Sequence, residues 1–257
     1  MPANDLALLI RAARAAGQIA AQFWRKAPRV WDKPGHQGPV TEADIVIDDM
    51  LRGLLTDARP DYGWLSEETA DGPARLAARR AFVVDPLDGT RAFVKGERAF
   101  AHSLAVVEDG VPRAAVVYLP MLDRLFAGET GAGAALNGTP IRTGAHAELD
   151  GADILIARPA LASCYWGGPV PRITPHTRPS LAYRMCLVAQ GRFDAMVTIR
   201  DTWHWDSAAG TLIVTEAGGV VSDRGGAPLR FNTAHPFSAG LVAAPPGLHS
   251  QILHRLA

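Results

Sequence analysis

The sequence predicts a mixed α+β and α/β protein, built as an N-terminal half over residues 1–150 and a C-terminal half over 151–257 that form one compact unit. Three observations predict it. From Ser103 to Asn137, short apolar runs alternate with turn signals, Asp109-Gly110 and Asn137-Gly138 among them, as in an antiparallel sheet. After about Asp150 the rhythm changes to strand, helix, strand. The chain of 257 residues, 48% hydrophobic and 20% charged, has ample length for a sizeable core.

In order, Asn4 or Asp5 caps a first helix, with Leu6, Leu9, Ile10, Ala13, Gly17 and Ala20 at helical spacing up to Phe23-Trp24. Its stripe is rich in Ala and Gly, so it should pack closely on a neighbour. Pro28 and Pro34-Gly35 break the chain. A second helix opens at Thr41, with Ile47, Leu51, Leu54 and Leu55 inward. Trp64-Leu65 is a short strand, and Asp71 to Arg80 a surface loop or helix. Phe82-Val83-Val84 is a buried strand, and Pro86 to Gly89 reads as a turn. Ser103–Val107, Ala114–Tyr118 and Leu125–Ala127 continue the sheet. Later come a strand at Ile154–Ala157, a Pro/Gly-dense loop over Gly167–Pro179, and an apolar helix over Leu181–Gln190. A strand at Phe193–Ile199, a helix over Asp206–Ala217, strands at Val220-Val221 and Leu241-Val242, and a last helix over Pro246–Leu256 finish the chain.

Charge narrows the function. Lys plus Arg and Asp plus Glu are 26 each, which gives no electrostatic case for nucleic acid or an acidic membrane. Cys164 and Cys186 make no disulfide framework, so a reducing, cytoplasmic setting is expected. Arg11 and Arg14 interrupt any signal-peptide core, and no breaker-free apolar stretch is long enough to span a bilayer.

The chemistry centres on Asp85-Pro86-Leu87-Asp88-Gly89-Thr90. Two carboxylates this close at a strand end repel unless a cation lies between them, and oxygen-only ligands suit Mg²⁺. Thr90 stands where a helix begins, so nearby N–H groups can face an anion. The plain alternative is an Asp-rich turn with an Asx cap. Asp44 has a plain alternative too, as the third residue of a Thr41-x-x-Asp44 capping box. Glu67-Glu68 after a strand also reads as a solvated edge. Asp206 in Trp205-Asp206-Ser207-Ala208-Ala209-Gly210 reads as a helix N-cap or dipole partner, or as a distant ligand.

Taken together and in this order, Pro-Val-Thr-Glu-Ala-Asp44, Ser-Glu67-Glu68, Asp85-Pro-Leu-Asp88-Gly-Thr90 and Trp-Asp206-Ser-Ala-Ala-Gly resemble the inositol monophosphatase superfamily. The resemblance covers nearly the whole chain. It implies a layered α-β-α-β-α sugar-phosphatase fold and a magnesium-dependent, often lithium-sensitive phosphomonoesterase using two or three Mg²⁺. It implies that Glu67, Asp85 and the Leu87 carbonyl hold one ion, and that Asp85, Asp88 and Asp206 hold a second. Glu67 would support a third through water, and Glu68 would stand behind the ligands. Gly89 and Thr90 would offer N–H groups to the phosphate. Asp44 would accept from Thr90, whose hydroxyl orients the attacking water. A small-molecule phosphate ester is the expected partner, and a homodimer is open.

Within the superfamily the closer likeness is to CysQ-like 3′(2′),5′-bisphosphate nucleotidases, which hydrolyse adenosine 3′,5′-bisphosphate to AMP and phosphate. Leu-Ser-Glu-Glu, Asp-Gly-Thr-Arg-Ala-Phe, Asp109-Gly-Val-Pro-Arg-Ala-Ala-Val-Val-Tyr-Leu-Pro120 and the 12-residue spacing from Asp194 to Asp206 carry it. Thr198 stands nearest the place of the inositol-contacting Glu of inositol phosphatases. Ile199-Arg-Asp-Thr-Trp-His204 departs from both groups. Arg184, Arg200 and His204 are candidates for a second phosphate, and Trp203 for stacking or for core. The alternatives are an inositol-1-monophosphatase, a broad sugar or histidinol phosphatase, or a non-catalytic ligand sensor on the same fold.

Overall fold

The computed structural model of the chain describes residues 4–33 and 38–256, so the expected break at Pro34-Gly35 lies outside the described residues. Helix α1 (Asp5–Phe23) begins where the Asn4 side chain accepts from the Ala7 N–H at 2.9 Å. An antiparallel ribbon that was not expected, β1 (Val30–Asp32) and β2 (Pro39–Thr41), leads into α2 (Glu42–Ala58). Then come β3 (Gly63–Ser66), a 3₁₀ turn over Pro73–Ala77, β4 (Arg80–Asp88) and the short α3 (Thr90–Val94). Strands β5 (Ala101–Glu108) and β6 (Val111–Leu119) form the expected hairpin, with Asp109 at φ 49° and Gly110 at φ 82° in its two-residue turn. Strands β7 (Arg124–Glu129), β8 (Gly133–Leu136) and β9 (Thr139–Pro140) complete a seven-stranded sheet in the order β3-β4-β5-β6-β7-β8-β9.

The remaining chain gives β10 (Asp153–Ile156), β11 (Thr174–His176), α4 (Leu181–Ala189), β12 (Ala195–Thr198) and β13 (Thr202–Trp203). It ends with α5 (His204–Glu216), β14 (Val220–Ser222), β15 (Phe237–Ser238), β16 (Leu241–Ala244) and α6 (Pro246–Arg255). A five-stranded sheet runs β11-β10-β12-β16-β14, and β13 pairs only with β15. Strand β11 corrects the expectation of a loop from Gly167 to Pro179. It is a three-residue edge strand with Pro175 at its centre, which only an edge tolerates.

Side-chain alternation along the strands sets the layers. On β4, Phe82 and Val84 join α1 and α2 in one apolar cluster, and Val83 joins α4 and α5 in another. On β10, Leu155 belongs to that second cluster, while Ile154 and Ile156 pack with Leu248 and Ile252 of α6 in a third. Both sheets are therefore covered on both faces, as their nearly continuous apolar strands require. The order is α1/α2, first sheet, α4/α5, second sheet, α6, the expected α-β-α-β-α layering. The middle cluster takes residues from Leu65 to Ala243, so the core crosses residue 150. The small residues of α1 do what their stripe implied. A β-carbon on Gly17 would stand 2.6 Å from the Tyr118 ring, so α1 lies directly on β6. No described helix is long and apolar enough to cross a membrane.

Candidate active site

The first carboxylates are placed by a flaw in the pairing of β4. Asp85 pairs with Ser103 and Asp88 with Ala101, so three steps on β4 face two on β5. This is a β-bulge within the strand, where a turn was expected from Pro-Leu-Asp-Gly. The extra residue reverses the alternation. In a regular strand Asp85 and Asp88 would point to opposite faces; here Leu87 turns toward the α1/α2 cluster and both acids turn toward α4/α5. The bulge frees the Pro86 carbonyl, and His102 Nδ1 donates to it at 2.6 Å. Asp85 Oδ1 accepts the Leu87 N–H at 2.9 Å, so the Asx bond exists alongside the cage.

Helix α5 brings Asp206 to the same place. Its N-cap is Trp203, and Asp206 is the third helical residue, so Asp206 is not the N-cap. Successive helical residues turn by about 100°. Asp206 and the N-cap Trp203 both line a cavity of about 440 Å³ together with Glu67, Asp85, Asp88 and Thr90. His204, two residues from Asp206, faces away. It is 1% exposed, meets the Phe231 ring at 5.2 Å, and is not among the residues lining the cavity, so the structure does not bring it to the site with the other candidates.

Glu67, Asp85 and Asp206 offer carboxylate oxygens that all lie within 4.8 Å of one another. Burial, then the charges of Glu67, Asp88 and Asp206, drives the Asp85 carboxyl well above its ordinary range. Asp206 is raised in the same way, by burial and then by Asp88 and Glu67. Asp88 is raised by burial, although Ser180 Oγ and the Ala182 N–H donate to its Oδ2 at 2.7 and 2.8 Å. Those two bonds also fix the start of α4. This donor set fits a hard cation: it is all oxygen and gathers four carboxylates, with Asp85 and Asp88 buried among them.

Asp44 fills both roles weighed for it. Its Oδ2 accepts the Thr41 N–H at 2.9 Å and the Thr41 hydroxyl, completing the capping box of α2. Its Oδ1 lies 3.2 Å from Thr90 Oγ1, which also lies 3.1 Å from the Leu87 carbonyl. Burial pushes Asp44 up to about 6 against the Thr41 bonds that lower it. Gly89, at φ 101° and ψ 35°, makes the left-handed step from β4 into α3 that a β-carbon would strain. Arg184, Arg200 and Thr198 also line the cavity. The Arg184 guanidinium is lowered by burial and by Arg200, while Asp88 raises it.

Sequence reasoning missed Lys33. Its Nζ lies 2.7 Å from both Glu67 Oε1 and Glu68 Oε1. Burial, then Glu67, keeps Glu68 up at about 7 despite the Lys33 bond. The β1–β2 ribbon supplies that lysine, and a three-residue strand leaves too little pattern to be read. Ser180 and His102 were missed for a similar reason, since their partners are 92 and 16 residues away.

An inositol-1-monophosphatase of Rhizobium meliloti (strain 1021) is 39% identical over 202 residues, 74% of this chain and 74% of that protein. A fructose-1,6-bisphosphatase/inositol-1-monophosphatase of Thermotoga maritima is 33% identical over 239 residues, 91% of this chain and 90% of that protein. A solved Thermotoga maritima IMPase matches the fold with a TM-score of 0.83 at 29% identity, covering 98% of this chain and 96% of that one. The profile of the inositol monophosphatase family matches residues 2–257. The chain therefore belongs to the inositol monophosphatase family and is a phosphatase.

Proposed function

We propose that the acidic cage holds Mg²⁺ and that the protein hydrolyses a small phosphate monoester, specifically a nucleoside 3′(2′),5′-bisphosphate. The observation that carries the metal reading is that carboxylate oxygens of Glu67, Asp85 and Asp206 come within 4.8 Å of one another, with Asp85 buried and Asp88 acting on it electrostatically. Such a set is costly without a cation. Glu67, Asp85, the Leu87 carbonyl, Asp88 and Asp206 would hold two ions, and Glu67 a third through water. When bound, Mg²⁺ supplies neutralising charge and Lewis acidity for an in-line hydrolysis.

The chain's own groups supply position. Gly89 and Thr90 stand at the head of α3, where N–H groups have no helical partner and can meet phosphate oxygens. Asp44, fixed by Thr41, accepts the Thr90 hydroxyl proton and so turns the Thr90 lone pairs toward an attacking water. Phosphoryl transfer needs mainly positioning and charge neutralisation, so no covalent nucleophile is required. Arg184 and Arg200 support the bisphosphate reading, because both line the cavity and Arg184 lies close enough to the cage to feel the charges of Asp88 and Asp206. Thr198, also in the cavity, offers no carboxylate to a polyol.

A second reading, inositol 1-phosphate, is favoured by the relatives' names. One panel decides: adenosine 3′,5′-bisphosphate, inositol 1-phosphate, fructose 1,6-bisphosphate and histidinol phosphate at equal concentration, with Mg²⁺ and with EDTA. A higher kcat/KM for the first, lost in EDTA, supports the proposal. A preference for inositol 1-phosphate establishes the second reading.

A further inference from the structure

One side of the cavity has no part in holding metal or phosphate. Its rim is the Trp203 ring, 37% exposed in a solvent-facing pocket. That ring lies on Trp205 with centroids 4.8 Å apart and planes 8° from parallel. Phe237, from the partner strand of the β13/β15 ribbon, meets it edge-on at 5.9 Å. Trp205 is itself packed against the central core. One face of Trp203 is thus covered by Trp205, and the stack limits its two side-chain torsions. An aromatic face fixed in this way is ready to pack against a planar ring, with little ordering left to do on binding.

The position suits a leaving group. Trp203 precedes Asp206 by three residues as the N-cap of α5, and both line the same cavity. Arg200 and Arg184 line the same cavity. Among the described residues lining the cavity, Trp203 is the one that presents an aromatic ring.

We propose that Trp203 is a stacking platform for a planar base on the ester, which makes the preferred substrates nucleotides as a class. This rests on the phosphomonoesterase reading of the cage, and is independent of whether a second phosphate is required. The test compares wild type, Trp203→Leu and Trp203→Phe on adenosine 3′-monophosphate and on glycerol 2-phosphate. Alongside, quenching of tryptophan fluorescence by adenosine 3′-monophosphate is measured with the metal removed. In Trp203→Leu the loss of kcat/KM on the nucleotide should exceed the loss on glycerol 2-phosphate by about tenfold or more, mainly through KM. Trp203→Phe should recover most of it, and quenching should be present in wild type and absent in Trp203→Leu. Equal losses on both esters, or quenching that survives in Trp203→Leu, would overturn the platform. If wild type hydrolyses neither ester, the phosphomonoesterase reading fails, and the quenching still decides whether Trp203 holds the base.

Discussion

The two walls of the cavity are made in different ways. The wall from Asp85 to Thr90 is contiguous in sequence, carries the end of β4 into α3, and is braced by His102 and by Ser180. The facing wall runs from Thr198 at the end of β12, through Arg200 and Trp203, to the head of α5, and part of it is a two-residue ribbon at the surface. In the first wall the backbone decides where each group points, through one bulge and one left-handed glycine. In the second, long side chains decide what fits. On the proposed reading, the first wall would hold the chemistry and the second would bear on selectivity.

The largest expected effect lies in the first wall. Asp85→Asn keeps the oxygen that accepts from Leu87 but removes the charge shared by the cage. Activity should fall by more than about a hundredfold, beyond what losing an outer partner of a metal site costs. The melting temperature in EDTA should rise, because one buried like charge has gone. Near-normal turnover at saturating Mg²⁺ would remove Asp85 from the cage.

Next comes Arg200 in the second wall. Replacing it by Ala should cost about 1.5–3 kcal/mol on adenosine 3′,5′-bisphosphate, as for one charge-assisted contact, and less on a monophosphate. Equal loss on both would show that the two walls do not divide the work in this way.

Thr90→Ala and Asp44→Ala should each lower kcat, and the double variant should be little worse than the worse single. Asp44→Ala should also destabilise the fold, by about 1 kcal/mol of lost capping, seen as a lower melting temperature. Additive losses in kcat would leave Asp44 as a cap alone.

The smallest effect compares the histidines behind the walls. Burial holds both His102 and His204 down to about 4, against 6.5 for a free imidazole. The unfolded chain takes up these protons first, so the stability they contribute is full above pH 6.5 and drains away as pH falls toward 4. The melting temperature should drop across that window. His204→Leu should flatten the drop at little cost at pH 7, since its Nδ1 has no partner. His102→Leu should flatten it too, but lose stability and activity together, because the Pro86 carbonyl loses its donor. Identical behaviour would mean that His102 does not support the bulge.

What was legible in the sequence follows the same division. The helices and the hairpin at Asp109-Gly110 could be read because each depends on residues close together in the chain, whereas the carboxylates, spread from Asp44 to Asp206, were joined only by the family resemblance of four motifs in order. The bulge could not, since it exists only in the register of β4 against β5. His204 was drawn to the site by its neighbours in sequence, but a helix turns through about 200° over two residues and faces it into the core. Lys33 was invisible because its partners lie 34 and 35 residues on.

Helix α5 lies between the two sheets, with Ser207, Ala208, Ala209 and Gly210 buried at its start. With sheet on both sides, its amide protons can meet solvent only when the layers part. They should therefore be among the slowest in the molecule to exchange with deuterated water. The amides of the β13/β15 ribbon, one residue upstream, should exchange far sooner. The boundary between durable and yielding structure then falls between Trp203 and Asp206, within a single turn of helix.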